Sequence, residues 1–129
     1  MVAFEPVIRN LAYLHRHVVL NKAANVRILA FARSDENGTA QSSLGTNSAM
    51  GQRVVGGDTL VPTVTLDKIA EELDLLPDVL KIDVEGAELD VLKGGTEILT
   101  RKKPTIFLST HSKELREACL DLLIEIGYK

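Results

Sequence analysis

Short apolar runs alternate with amphipathic stretches along most of this chain. Apolar positions recur at the spacing of an amphipathic helix in five stretches, namely residues 7–22, residues 66–75, the segment after Gly86, the segment around Ile98 and Leu99, and residues 115–126. Continuous apolar runs predict four buried strands, over residues 1–4, 25–32, 79–84 and 105–110. A break between two helices is expected at Gly94-Gly95.

The order of these elements predicts an α/β fold. Strands that alternate with helices need right-handed crossovers, which favour a mostly parallel, doubly wound sheet. Residues 25–32 are apolar on both faces of the strand. Because strands of that kind are buried on both sides, we expect helices on both faces of the sheet.

One polar segment interrupts the alternation. Asn37-Gly38 predicts a hairpin turn, and residues 39–58 are rich in Ser, Thr, Gly, Gln and Asn. Loops of this length are usually functional or disordered, so we interpret this one as a lid or specificity loop with partial disorder. Pro62 makes residues 60–66 an edge strand or an irregular connection. The sequence thus predicts a single domain over residues 1–129 with a polar loop and hairpin insert at about residues 36–64.

Composition narrows the class of protein. The length of 129 residues suits one domain, and 45% hydrophobic and 26% charged residues are typical of a globular protein. The net charge is −3, and no basic run is longer than that of residues 101–103, which argues against nucleic acid as a partner. The single cysteine, Cys119, lies in a helical apolar pattern and is predicted to be a core residue. No apolar run approaches the length of a membrane span, so the chain is predicted to be cytoplasmic.

Polar residues close every predicted strand. They are Glu5, the segment 32–35 with Ser34 and Asp35, the segment 83–85 with Asp83 and Glu85, and the segment 109–111 with His111. In open α/β sheets ligands bind at the carboxyl ends of the strands, so four such ends predict a ligand site. Glu5 is placed to accept both hydroxyls of a ribose. The alternative is an acid that stabilises the following helix dipole.

Asp83 and Glu85 are two residues apart and can therefore project together from the end of their strand. The alternative is a solvated pair of loop carboxylates. A glycine turn that positions a nucleotide is expected roughly 20 residues before the ribose-binding acid, and that place falls before Met1. The chain is thus expected to be a nucleotide-binding fold without its first strand.

Several motifs resemble the FkbM-type methyltransferase family. They are V-A-F-E-P at residues 2–6, A-R-S-D at 32–35, V-T-L-D at 64–67, L-K-I-D-V-E-G-A-E at 80–88 and V-L-K-G-G at 91–95. The long fourth motif, followed by V-L-x-G, is the most specific. The resemblance covers nearly all of the chain. It implies a Rossmann-like, doubly wound sheet of the class I methyltransferase type, truncated at both ends.

The resemblance also implies a function. It implies transfer of a methyl group from the cofactor S-adenosylmethionine to a hydroxyl of a sugar, glycan or secondary metabolite. By analogy Glu5 would hold the cofactor ribose, Ser34 and Asp35 would lie near the adenine, and Asp83 would lie beside the methionine part and the methyl group. Glu85 and His111 would orient or deprotonate the acceptor hydroxyl, which makes Asp83, Glu85 and His111 the expected catalytic residues.

Two departures from the family pattern leave alternatives. The first strand with its glycine-rich loop is missing, and Ser109 stands where many members carry an acid. The chain could therefore be a non-catalytic fragment or interaction module that lacks cofactor binding. A third hypothesis makes Asp83, Glu85 and Glu88 the divalent-metal site of a hydrolase, but we assign no metal ligands. Without its central strand the sheet has open edges, which predicts self-association through them.

Overall fold

A computed structural model describes residues 1–42 and 59–129 of the chain. The strands are β1 (Val2–Phe4), β2 (Arg27–Leu29), β3 (Ala32–Arg33), β4 (Gly38–Ser42), β5 (Thr59–Val64), β6 (Val79–Ile82) and β7 (Thr105–Leu108). The helices are α1 (Ile8–Leu20), α2 (Leu66–Glu72), α3 (Glu88–Lys93), α4 (Thr96–Lys102) and α5 (Lys113–Glu125). Most of the predicted lid, residues 43–58, lies outside the described residues.

The strands pair mainly in parallel, as the alternating pattern predicts. The parallel pairs are β1 with β2, β3 with β5 and β6 with β7. Only β4 with β5 is antiparallel among the described residues. The prediction of a Rossmann-like α/β arrangement is thereby confirmed, while the strands of the described part form three separate hydrogen-bonded groups rather than one continuous sheet.

The single strand predicted over residues 25–32 is wrong. It is divided into β2, which pairs with β1, and β3, which pairs with β5. Apolar alternation continues across the junction, but the strand to which the backbone is hydrogen-bonded changes there. The local sequence pattern does not indicate such a change. Cover on both faces is also incomplete in the described part of the chain, because the side chain of Phe107 in β7 is 62% exposed.

Two expectations for the insert need correction. Asn37 and Gly38 do not form a hairpin between neighbouring strands, because β5 lies between β3 and β4. β5 is also not an edge strand. It tolerates Pro62 because β3 pairs only with Thr63 and Val64, so that at Pro62 the strand has a partner, β4, on one side alone.

The core lies between the β6–β7 pair and the three C-terminal helices. Leu92, Leu99 and Cys119 are completely buried there and Ile82 nearly so. Cys119 is the core residue that the helical pattern predicts, and burial raises the pKa of its thiol. None of the helices in the described ranges is both long and apolar enough to cross a membrane.

The Gly94-Gly95 break joins three segments of the chain. It separates α3 from α4, as predicted. A Cβ atom on Gly94 would lie 2.1 Å from the carbonyl oxygen of Ser34, and one on Gly95 would lie 2.7 Å from the side chain of Leu66. The backbone N–H of Asp67 donates to the carbonyl of Gly94 at 2.9 Å. The glycines therefore let the end of α3 approach both the segment after β3 and the start of α2.

Candidate functional site

Two parallel strands bring the central residues of the site together. β6 and β7 pair in register from Val79 with Thr105 to Ile82 with Leu108, and the N–H of Ser109 continues the ladder by donating to the carbonyl of Ile82. Parallel strands present their carboxyl ends at the same edge. The segments that follow, with Asp83 and Glu85 after β6 and His111 after β7, therefore meet.

His111 faces both predicted carboxylates. Its Nε2 lies 3.2 Å from Oε2 of Glu85 and 4.0 Å from Oδ1 of Asp83. One ligating atom from each of the three residues lies within 4.8 Å of the others. The structure thus brings together all three residues expected to be catalytic, and they are accessible to solvent.

A buried carboxylate holds the imidazole from the other side. Glu88, in the first turn of α3, is completely buried, and its Oε1 lies 2.8 Å from Nδ1 of His111. The same oxygen accepts a hydrogen bond from the N–H of Gly86 at 3.1 Å. Oε2 of Glu88 has no hydrogen-bond partner in the part of the chain that the structure describes.

A tight turn between β6 and α3 makes this geometry possible. Glu85 and Gly86 both have positive φ values, 54° and 105°. Glycine adopts such values without strain, whereas Glu85 holds a conformation that costs an ordinary residue about 1 kcal/mol or more. The turn directs Glu85 toward Nε2 of His111 and brings Glu88 behind the ring within three residues.

The electrostatics of the site favour positive charge. The hydrogen bond with Glu88 raises the pKa of His111, burial acts in the opposite direction, and the charges of Glu85, Glu88 and Asp83 raise it further. Lys81 donates to Oδ2 of Asp83 at 2.8 Å, and this bond lowers the pKa of Asp83. The carboxylates of Asp83, Glu85 and Glu88 thus surround the imidazole of His111, and Lys81 compensates the negative charge of Asp83.

The residues expected to bind the nucleoside form two other groups. The Ser34 hydroxyl is buried and donates to Oδ1 of Asp35 at 3.1 Å. Glu5 follows β1, and its Oε1 accepts the N–H of Val7 at 2.9 Å. This bond is of the kind expected for the alternative in which Glu5 stabilises the start of α1. Neither group is part of the three-residue cluster of Asp83, Glu85 and His111.

Sequence reasoning missed three features of the site region. Lys81 was not assigned to Asp83, although residues two apart in a strand share a face. Glu88 was considered as a metal ligand and not as the partner of His111, and no local signal links residues 23 positions apart. Arg33 lies over the ring of Phe4, 4.3 Å from its centroid, and burial lowers its pKa to about 10.

Comparisons with known proteins identify the family of this chain. The methyltransferase FkbM domain matches residues 1–129, and the chain belongs to this family. A relative from Jannaschia sp. (strain CCS1), described as a "Putative methyltransferase", is 29% identical over 76 residues, which are 59% of this chain and 26% of that protein.

A solved structure shares the fold. The crystal structure of methyltransferase FkbM from Methylobacillus flagellatus KT matches with a TM-score of 0.68 at 22% identity, over 97% of this chain and 30% of that one. At this identity the likeness concerns the fold alone. The chain spans less than a third of the length of either of these two proteins.

Proposed function

We propose that this chain forms part of an S-adenosylmethionine-dependent methyltransferase that methylates a hydroxyl of a sugar, glycan or secondary metabolite. The observation that carries the proposal is the match of residues 1–129 to the methyltransferase FkbM domain. The proposed compartment is the cytoplasm, because a single, buried, unpaired cysteine suits a reducing environment.

The polar residues after β1 and β3 fit the nucleoside part of the cofactor. The carboxylate of Glu5 is half-buried at the end of β1, where an acid accepts ribose hydroxyls in dinucleotide-binding folds. Ser34 and Asp35 follow β3 with a hydroxyl and a carboxylate already hydrogen-bonded to each other, so that they can present a fixed polar surface to an adenine. We assign these three residues to cofactor binding.

The residues after β6 and β7 fit the acceptor hydroxyl. S-adenosylmethionine, when bound, supplies an electrophilic methyl group on a sulfonium. Asp83 is proposed to lie beside the methionine part of the cofactor, while Glu85 and Nε2 of His111 face each other at 3.2 Å and can hold a hydroxyl by hydrogen bonds. Glu88 keeps the imidazole in place through Nδ1.

The chemistry of methyl transfer decides how much each of these residues contributes to the rate. Methyl transfer is an in-line displacement, for which orientation of the two reactants supplies most of the rate enhancement. A base that accepts the hydroxyl proton adds a factor of roughly 10² to 10⁴. His111 can accept this proton on Nε2 only in its neutral form. Because its pKa is raised, we expect turnover to increase with pH through a value above the ordinary histidine pKa.

Calorimetric titration of the chain with S-adenosylhomocysteine tests cofactor binding. Replacement of Glu5 by Gln keeps an oxygen that can accept the N–H of Val7 but removes the charge that accepts two ribose hydroxyls. We expect saturable binding by the unaltered chain and binding weakened roughly tenfold or more in Glu5→Gln, since hydrogen bonds to a charged group contribute about 1.5–3 kcal/mol. Glu114→Gln, a change at an exposed glutamate of α5, is the matched control and should bind as the unaltered chain does.

Two results would contradict the proposal. Absence of binding by the folded, unaltered chain would move it to the class of non-catalytic scaffolds. Equal binding by Glu5→Gln and the unaltered chain would remove Glu5 from the cofactor site and favour its function as the acid at the start of α1. Circular dichroism of each variant establishes that the comparison is made between folded proteins.

A further inference from the structure

The arrangement around His111 has a feature that methyl transfer does not by itself require. Both ring nitrogens face carboxylate oxygens, Nδ1 facing Glu88 at 2.8 Å and Nε2 facing Glu85 at 3.2 Å. A neutral imidazole carries one N–H, and the shorter contact assigns it to Nδ1, which donates to Glu88. The lone pair on Nε2 then points at the lone pairs of Glu85. Either a second proton or a metal cation must lie between these atoms.

The distances suit a metal cation. Two ligand atoms that each lie about 2.0–2.2 Å from one ion are separated by about 3 Å at a right angle and by about 4.2 Å across the ion. Nε2 of His111 is 3.2 Å from Glu85 and 4.0 Å from Asp83. The three ligating atoms fall within 4.8 Å of one another, so small side-chain movements would close them around a single ion.

The buried carboxylate behind the ring supplies a second, independent indication. Glu88 is completely inaccessible to solvent, and Oε2 of the carboxylate that faces His111 lacks a hydrogen-bond partner among the described residues. A buried charge is costly unless it is compensated. A metal-bound histidine typically donates its other N–H to a carboxylate, which orients the ring and increases its basicity. Glu88 occupies that position, and a dication at Nε2 would compensate its charge through the imidazole.

We propose that Asp83, Glu85 and Nε2 of His111 bind one first-row divalent cation, with Glu88 as the residue that orients the histidine. One nitrogen and two carboxylate oxygens favour Zn²⁺ or Mn²⁺ over Ca²⁺, which prefers an all-oxygen shell. Lys81 contacts Oδ2 of Asp83 and leaves Oδ1 facing the histidine. Exposure of the cluster leaves coordination positions open for water or for an oxygen of the acceptor.

This inference rests on the proposed function and revises one part of it, because the ion would lie where the acceptor hydroxyl is expected. With the ion bound, Nε2 of His111 is a ligand and does not accept the hydroxyl proton. The ion would instead lower the pKa of a hydroxyl bound to it, and His111 acts as the base only in the metal-free protein. Binding of the ion nevertheless needs neither the cofactor nor turnover. The ligand set also differs from that of the hydrolase hypothesis, because Glu88 lies behind the imidazole and His111 takes its place as a ligand.

Metal titration of the chelator-treated, dialysed chain tests the proposal. Calorimetry with Zn²⁺ and electron paramagnetic resonance with Mn²⁺, which loses its free-ion signal on binding, should each report one site per chain. We expect Glu85→Gln and Asp83→Asn to abolish or strongly weaken this site. Glu88→Gln should weaken it roughly tenfold to a hundredfold, as is typical when the partner of a metal-binding histidine is changed.

A matched pair of histidine variants separates this site from adventitious binding. His111→Gln should remove the site, whereas His15→Gln, at an exposed histidine of α1, should leave it unchanged. Glu85 is 57% exposed in its side chain, so Glu85→Gln is expected to fold even where a change at the buried Glu88 prevents folding. Saturable binding that persists in Glu85→Gln and Asp83→Asn, or absence of saturable binding by the unaltered chain, would overturn the proposal and leave an imidazolium between the carboxylates.

Titration with S-adenosylhomocysteine in the presence of chelator keeps the two proposals apart. Metal binding without cofactor binding would preserve the ion site and contradict the proposed methyl transfer. Cofactor binding by a chain that binds no metal would contradict the ion site and leave the proposed methyl transfer in place.

Discussion

At the scale of single residues, His111 and Glu88 are the pair on which the site depends. Glu88 is completely buried, and among the described residues its ion-pair partner is the imidazole of His111, 2.8 Å away. In the absence of metal, both ring nitrogens can donate to carboxylates only if the ring is protonated. The metal-free protein should therefore hold His111 as an imidazolium up to a higher pH than an ordinary histidine, because these contacts raise its pKa.

This argument predicts the effect of Glu88→Gln on the titration of His111. The hydrogen bond with Glu88 is the largest cause of the raised pKa. Glu85 and Asp83 are the other charged groups that face the ring, and Lys81 pairs with Asp83. We expect the pKa of His111 in chelator to lie above the ordinary value of about 6.5 and to fall in Glu88→Gln. Proton NMR of the imidazole signals across a pH series measures both.

Folding stability should follow the same sign. A group whose pKa is higher in the folded than in the unfolded state stabilises the fold fully below its unfolded pKa, and this contribution is lost as pH rises through the folded pKa. Chelator-treated protein should accordingly lose this stabilisation as pH rises from the ordinary histidine pKa of about 6.5 through the raised pKa of the folded state, and Glu88→Gln should lose less. An unchanged His111 titration in Glu88→Gln would assign the raised pKa to Glu85 and Asp83 instead.

At the scale of elements, the α3–α4 junction connects two of the three strand groups, the one that contains β3 and β5 and the β6–β7 pair. Gly94 contacts the backbone after β3, Gly95 contacts Leu66 of α2, and the carboxylate of Asp67 accepts the N–H groups of Glu97 and Ile98 at the start of α4. The helix whose first turn supplies Glu88 thus ends against the segment that carries Ser34 and Asp35. This junction therefore positions the His111 cluster relative to Ser34 and Asp35.

Gly94→Ala is expected to destabilise the protein. Gly94 has an ordinary helical φ of −68°, so that the added Cβ causes no backbone strain. It would instead lie 2.1 Å from a backbone oxygen, and a close-packed backbone can move aside only at a cost of about 1–3 kcal/mol. Urea unfolding measures the loss. Lys93→Ala, at the preceding exposed position, should change the free energy of unfolding by about 0.5 kcal/mol or less, and an equal effect of the two changes would contradict the packing argument.

The junction also shows how far the sequence predicts this structure. The Gly94-Gly95 break, the buried Cys119 and the meeting of Asp83, Glu85 and His111 follow from local periodicity and from the rule that parallel strands share an edge. The separation of β2 from β3, the central position of β5 and the contact between Glu88 and His111 do not. Each of these depends on which distant segment becomes a neighbour, and hydrophobic pattern carries no information about that choice.

At the scale of the whole molecule, the described strands have open edges. Within the described residues β1 pairs only with β2, and β6 pairs only with β7. The carbonyls of Asp78 and Ile82 accept hydrogen bonds from Thr105 in β7 and from Ser109 just after it. Because backbone groups alternate in direction along a strand, those of Val79 and Lys81 point to the opposite, open edge. Unpaired edges of this kind are templates for pairing with another chain.

We therefore expect the isolated chain to self-associate through the edge of β6. Val79→Pro removes an N–H from the open edge and leaves the β7 ladder intact, so it should shift the sedimentation profile toward monomer. Val19→Ser is the matched control, because Val19 of α1 is similarly exposed, 61% against 57% for Val79, but lies on a helix. If the unaltered chain sediments as a monodisperse monomer, the expected self-association is refuted. Dissociation by Val19→Ser alone would assign the association to the apolar surface of α1, where Ile8, Tyr13 and Leu20 are also exposed.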